Sequence, residues 1–318
     1  MTVRPPARAD TLGGVNLRGA AYASLAAMLY GSSYVATAIA LRSFTPLSVA
    51  AWRGLLGAAL LAALLLLPAM AIARPGRPGG PALLRLAILG VTGGAVFIVA
   101  MNAAVALAGA TVTAFVAGLY AVLAALFAIP MLGERIERRT LVALLVALAG
   151  TALLAELRVS GDAVRGIGIA LIAAVSFGLF LVLSRRWSTR YDLSGPVIGV
   201  ATLGLSAVIA FAAMALIGEP PLPADPGADA LLALAWLAAG PGAAAAVLVV
   251  AGMRQLEARH ASVFLLLNPP TAAILSFALL GERLSGVQLV GGTCVLVAIA
   301  AASGLIRSGR AQAKGGPT

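Results

Sequence analysis

Leu132-Gly133-Glu134-Arg135 and Leu280-Gly281-Glu282-Arg283 are one tetrapeptide written twice, 148 residues apart. Each closes a long apolar stretch, and each is followed by another. Upstream, Arg18-Gly19 and Arg165-Gly166 open apolar stretches in the same relation, and Tyr30-Gly31 matches Phe177-Gly178 at an offset of 147. One unit is therefore used twice.

The unit contains five apolar stretches. A helix needs about 20 apolar residues to cross a hydrocarbon core. Read from breaker to breaker, the chain offers ten such segments: 18–41, 46–68, 83–107, 111–132, 139–157, 165–184, 194–217, 229–250, 260–280 and 286–306. Only the small Ala-Gly-Ala step at 108–110 divides the third from the fourth, but 83–132 is too long for a single crossing. Five is odd, so the second copy enters from the opposite side. The expected fold is an all-α membrane protein of ten transmembrane helices in two inverted five-helix repeats, 18–157 and 165–306, flanked by cytoplasmic tails at 1–17 and 307–318.

Composition agrees. Of 318 residues, 61% are hydrophobic and 10% charged, against about 25% charged in a soluble domain. A soluble protein this apolar would aggregate. The net charge of +11 would suggest nucleic acid if it formed a stripe. Here the arginines fall in small clusters between apolar segments, so no nucleic-acid partner is expected. With the amino terminus in the cytoplasm, 17 of the 22 positive residues lie inside and four, Arg42, Arg158, Arg165 and Arg283, lie outside. That is the positive-inside pattern, and it places both termini in the cytoplasm of a cell (inner or plasma) membrane. The first apolar stretch reads as a retained helix rather than a cleaved signal. Cys294 is the single cysteine, so no intrachain disulfide can form.

Several segments carry a family likeness: Met28-Leu29-Tyr30-Gly31-Ser32-Ser33-Tyr34, Pro46 followed by Trp52-Arg53-Gly54, and the two Gly-Glu-Arg segments before glycine-bearing helices. In their order and spacing they resemble the EamA-type members of the drug/metabolite transporter superfamily, over nearly the whole chain. The resemblance implies ten spans, a central cavity and movement of metabolites, with amino-acid export the commonest match. Tyr30 stands where many relatives have Trp. The first half has Leu119-Tyr120 where the family often has a proline, and the second half keeps Asn268-Pro269-Pro270.

Polar side chains in lipid should face the bundle interior. Tyr30, Ser33, Tyr34 and Thr37 share one face of the first span, and the equivalent face of the sixth reads Phe177, Phe180, Leu181, Ser184. The halves are chemically unequal, which suits a solute with a polar end and an apolar end. The candidate cavity residues are Tyr30, Ser33, Thr37, Asn102, Tyr120, Phe177, Trp236 and Asn268, with Trp236 placed on the face of Val250. Their alternative role is hydrogen bonding between helices. Pro241, Pro269 and Pro270 are candidate hinges or kinks, because each proline removes an N–H and frees a carbonyl four residues back. Arg53 lies two turns from the outer end of the second span, within snorkelling reach, and reads as structural. Glu134 and Glu282 sit at helix ends and read as solvated or paired with arginine. His260 reads as interfacial.

No acidic residue lies deep in an expected span, which disfavours a lipophilic-cation pump. No catalytic constellation, metal motif or cofactor motif is found, so neither an enzyme nor a cofactor is expected. The expectation is a monomeric transporter, embedded in a lipid bilayer, for a small neutral or zwitterionic metabolite. Aromatic or large neutral amino acids are favoured, and alternating access between the repeats is the expected mechanism. A channel, a signalling receptor, or a carrier of sugars, nucleotide-sugars or drugs are the alternatives.

Overall fold

The computed structural model describes residues 11–12, 15–66, 79–133, 161–191, 193–253 and 267–302, with residues 142, 145–146, 149–150 and 153 between them. Apart from a two-residue ladder of Thr11–Leu12 with Val15–Asn16, the regular structure described is helical. The helices are α1 (Leu17–Ala40), α2 (Pro46–Leu66), α3 (Gly80–Ala108), α4 (Ala110–Leu132), α5 (Gly161–Tyr191), α6 (Gly195–Ile217), α7 (228–253), α8 (Asn268–Leu280) and α9 (Gly286–Ala302). Among the described residues, seven helices are long and apolar enough to cross a membrane, and α8 and α9 are shorter apolar helices. The expected fifth span, 139–157, lies mostly outside the described residues, as do Glu134 and His260; its described positions are helical.

Local chemistry sets these boundaries. Pro46 opens α2 where its missing N–H removes no helical bond, and Thr45 caps the same end by accepting from Ser48 N–H at 3.1 Å. Gly109 has φ +80°, a backbone that L side chains rarely adopt, and it divides α3 from α4 at the expected step. The glycine of each repeated tetrapeptide has one task in both copies: Gly133 (φ +71°) and Gly281 (φ +69°) end their helices in the left-handed cap. The sixth expected span, 165–184, proves longer, since α5 continues to Tyr191. There the Arg85 guanidinium lies 4.0 Å from the Tyr191 ring centroid.

The duplication is visible in matched details. The helical ladder widens to a π-helical stretch at Gly90–Val96 in α3 and again at Ala238–Ala244 in α7, which are equivalent positions. The α3 stretch packs on α6, where Gly90 meets Leu205 and Ala201; the α7 stretch packs on α2, where Gly57 meets the Ala238 carbonyl. Gly31 of α1 lies against the Asn268 carbonyl of α8, and its counterpart Gly178 of α5 lies against the Tyr120 carbonyl of α4. Each half therefore seats its first helix on the fourth-span helix of the other. Gly166, near the start of α5, packs on Leu107 and Ala108 at the end of α3. Leu41, Ala110 and Leu280 share one apolar cluster. So α5 begins at the end of the bundle where α1 leaves, and the equivalent helices run in opposite senses.

The expected kinks, at Pro241, Pro269 and Pro270, all fall in the second half; in the first half α4 is interrupted without a proline, at Gly118-Leu119, directly before Tyr120. Leu119 N–H tightens there onto the Val116 carbonyl at 3.1 Å.

The surface fits a lipid solvent. Leu84, Leu232 and Ile274 are 63%, 72% and 67% exposed, and exposed apolar side chains recur along most helices.

At the end of the bundle holding Leu41 and Leu280, loops of the two halves are tied together. Arg42 pairs with Asp229 at 3.2 Å, and the Thr45 hydroxyl donates to Glu219. Ser48 Oγ and Trp52 Nε1 both donate to the Pro221 carbonyl, at 2.9 and 2.8 Å, and Gly227 N–H donates to Ser43 Oγ at 3.3 Å. Glu282 reaches the start of α4, accepting from Ala110 N–H at 3.0 Å, Thr111 N–H at 3.1 Å and the Thr111 hydroxyl at 2.6 Å. It is thus a helix cap for the opposite half, not the solvated or arginine-paired end group expected.

Candidate solute site

Tyrosines from two helices converge inside the bundle. Tyr30 and Tyr34 project from α1, and Tyr120 from α4 lies within electrostatic reach of both. The Asn268 side chain, from the first turn of α8, is in hydrogen-bonding reach of the Tyr120 hydroxyl. Asn268 is buried, and its Oδ1 has no partner. Arg53 of α2 faces Tyr30 and Tyr34. It is only 5% exposed, although it lies within snorkelling reach of the helix end.

The other side of Tyr120 is aromatic. Its ring meets Phe177 of α5 edge-on, centroids 5.0 Å apart at 79°. Phe177 in turn lies 4.3 Å from Phe97 and 5.2 Å from Phe180. Gly93, in the widened stretch of α3, leaves room for the Phe180 ring. Tyr120 therefore joins the tyrosine hydroxyls and the Asn268 amide, which reach Arg53 through Tyr30 and Tyr34, to Phe177 and, beyond it, to Phe97 and Phe180. Four of the sequence candidates, Tyr30, Tyr120, Phe177 and Asn268, belong to this cluster.

The rest are placed otherwise. Ser33 donates to the Tyr30 carbonyl of its own helix at 2.6 Å, the local alternative to a solute contact. Thr37 is fully buried with no partner for Oγ1. Asn102 ties α3 to α2, its Nδ2 donating to the Pro46 carbonyl at 3.0 Å. Trp236 is 47% exposed, and its Nε1 donates to Ser32 Oγ at 2.9 Å; no described contact joins it to the tyrosines. Pro241 lies within the π-helical stretch of α7. Pro269 and Pro270 lie in the first turn of α8, where a missing N–H removes no helical bond. The carbonyls of Leu265 and Leu266 fall outside the described residues.

The family of EamA-like transporters matches this chain twice, over residues 17–155 and 164–304. The chain belongs to the EamA-like transporter family. Its two matched segments are the two halves that the paired π-helical stretches and the Gly31 and Gly178 contacts relate. As an EamA-like transporter it is a multi-pass membrane protein. It is 27% identical over 186 residues to an uncharacterized transporter of Archaeoglobus fulgidus, a match spanning 58% of this chain and 64% of that protein. A solved crystal structure, 22% identical, shares the fold with a TM-score of 0.65 over 90% of this chain and 96% of its own.

Sequence reasoning passed over Tyr34 and Arg53 as site residues. Both had a signal: Tyr34 follows Tyr30 by one helical turn, and Arg53 is the charge deepest in a span.

Proposed function

We propose that this EamA-like transporter carries a small zwitterionic or neutral metabolite with an apolar body, aromatic and large neutral amino acids first, and exports it from the cell. The link that Tyr120 makes between the polar cluster and Phe177, itself stacked with Phe97 and Phe180, carries the reading. An unpaired buried acceptor, Asn268 Oδ1, suits an ammonium group, and the rings suit a planar side chain.

The carrier spans the cell membrane ten times with both termini in the cytoplasm, as the arginine distribution favours. Its repeats, 18–157 and 165–306, rock against each other to expose the site alternately. In this orientation the tied loops 41–48, 108–111, 218–229 and 280–285 are extracellular.

Counterflow in proteoliposomes tests this. Vesicles loaded with unlabelled phenylalanine should accumulate labelled phenylalanine transiently, with saturation. Movement of sugars or nucleotide-sugars alone would refute the amino-acid reading, and flux without saturation or counterflow would mark a channel.

A further inference from the structure

Among the described residues, Arg53 is a cation without a counter-charge. Its Nε and Nη1 are buried and donate to no partner, and no carboxylate pairs with it among the described residues. Its neighbours of opposite polarity are the hydroxyls of Tyr30 and Tyr34, which are neutral in an apolar interior. A guanidinium removed from water and left unpaired is costly. Inside a membrane bundle such a group marks a solute or ion path.

Its depth fits the cluster. Arg53 stands seven residues into α2, about 10 Å from the start of the helix. Tyr34 and Tyr30 stand six and ten residues back from the end of α1 at Ala40, which lies at the same end of the bundle. The close fit of Gly54 against the Leu203 carbonyl and the Ala207 amide of α6 holds this turn of α2 against its neighbour. The guanidinium is thereby directed at α1 rather than at lipid.

We infer that Arg53 anchors the anionic end of the solute, a carboxylate, from the polar side of the tyrosine cluster. The planar guanidinium presents parallel N–H donors that match the two oxygens of a carboxylate. With the carboxylate there, an apolar body would extend past Tyr120 toward Phe177. The inference deepens the transport reading and rests on it for the location of the solute. It adds a requirement that reading lacks: the solute must carry a negative group.

The test is a ligand-induced thermal shift on the purified full-length protein, with four probes on one aromatic body: phenylalanine, 3-phenylpropionate, phenylalaninamide and phenethylamine. The wild type should bind phenylalanine about tenfold or more tighter than its amide, the loss expected when a charge-assisted hydrogen bond is removed. Arg53→Gln should erase that preference. Arg53→Lys should keep the preference only in reduced form and at lower affinity, since lysine carries the charge without the fork. A merely structural arginine would change stability and leave the acid-to-amide ratio alone. Equal binding of acid and amide by the wild type overturns the anchor, as does an Arg53→Gln protein with the wild-type ratio. If Arg53→Gln does not fold, the wild type and Arg53→Lys decide: a ratio reduced in Arg53→Lys supports the anchor, and a ratio unchanged in every respect overturns it. Binding of 3-phenylpropionate without phenylalanine keeps the anchor and removes the amino-acid reading. Binding of phenethylamine alone removes the anchor, and binding of none of the four removes both.

Discussion

Glu282 brings a negative charge to the first turn of α4, where helical N–H groups have no partner of their own. Two of those amides and one hydroxyl donate to its two oxygens. The glutamate comes from the second half and the helix from the first, so one side chain both caps a helix and fastens the halves. Removing it leaves amides uncapped and loses the attraction to the helix dipole, about 1–3 kcal/mol together for a partly buried group. Glu282→Ala should therefore lower the melting temperature of the detergent-purified protein, and Thr111→Val, which removes only the hydroxyl donor, should lower it less. A Glu282→Ala protein as stable as wild type would show that the cap contributes nothing. In the sequence, Glu282 reads only as an end group, because its partner lies 172 residues away and no local pattern links them. Arg53 carried a signal in its depth, but the direction of its side chain was not legible. Two turns from a helix end, its side chain is long enough to reach either the surface or the interior, and packing around Gly54 decides which.

At the scale of helices, the π-helical stretches limit how far a helical face can be counted. Trp236 was assigned to the face of Val250 by counting helical turns, and Pro241 with its π-helical neighbours lies between them. A π-bulge inserts a residue into the ladder, and each residue turns the helix by about 100°. Periodicity therefore cannot be carried across it from Trp236, which lies half exposed. The sequences at the two stretches, GVTGGAV and AAGPGAA, share little beyond glycine, so their equivalence shows only in the backbone. The break at Gly118-Leu119 was hidden likewise, because no proline announces it. The contacts of Gly31 and Gly178 are a paired test of the element packing. A Cβ on Gly31 would lie 2.6 Å from the Asn268 carbonyl and 2.7 Å from Thr271 Cβ; on Gly178 it would lie 3.1 Å from both the Tyr120 carbonyl and Leu123 Cβ. Gly31→Ala must push α1 off α8, at about 1–3 kcal/mol by the usual cost of overpacking. Gly178→Ala needs only a few tenths of an ångström. Thermal denaturation and monodispersity in detergent should rank wild type first, Gly178→Ala close behind, and Gly31→Ala last. The reverse order would show that the two packings are not as the coordinates place them.

For the whole molecule, the repeated Leu-Gly-Glu-Arg, the spacing of apolar stretches and the odd helix count were enough to read two opposed halves. What they could not show is how the halves engage, because the ties join residues such as Arg42 and Asp229 that are 187 positions apart. Those ties gather at one end, proposed as extracellular, and alternating access requires that they part. Ser43 and Gly227 offer a way to prevent it. Ser43 follows α1 in the first half, Gly227 precedes α7 in the second, and a Cβ on Gly227 would lie 3.5 Å from Ser43 Oγ, close to the reach of a disulfide. Gly227 does not have positive φ, so a cysteine fits its backbone, although the Asp229 carboxylate, 2.7 Å from that Cβ, must turn aside. With Cys294 replaced by serine to remove the one native thiol, the Ser43→Cys, Gly227→Cys protein should transport when reduced. Oxidation should then stop counterflow, and a reductant should restore it. Each single cysteine should be indifferent to the oxidant. Full counterflow through a quantitatively cross-linked protein would mean that these loops need not separate, and the rocking of one half against the other could not be the transport step at this end.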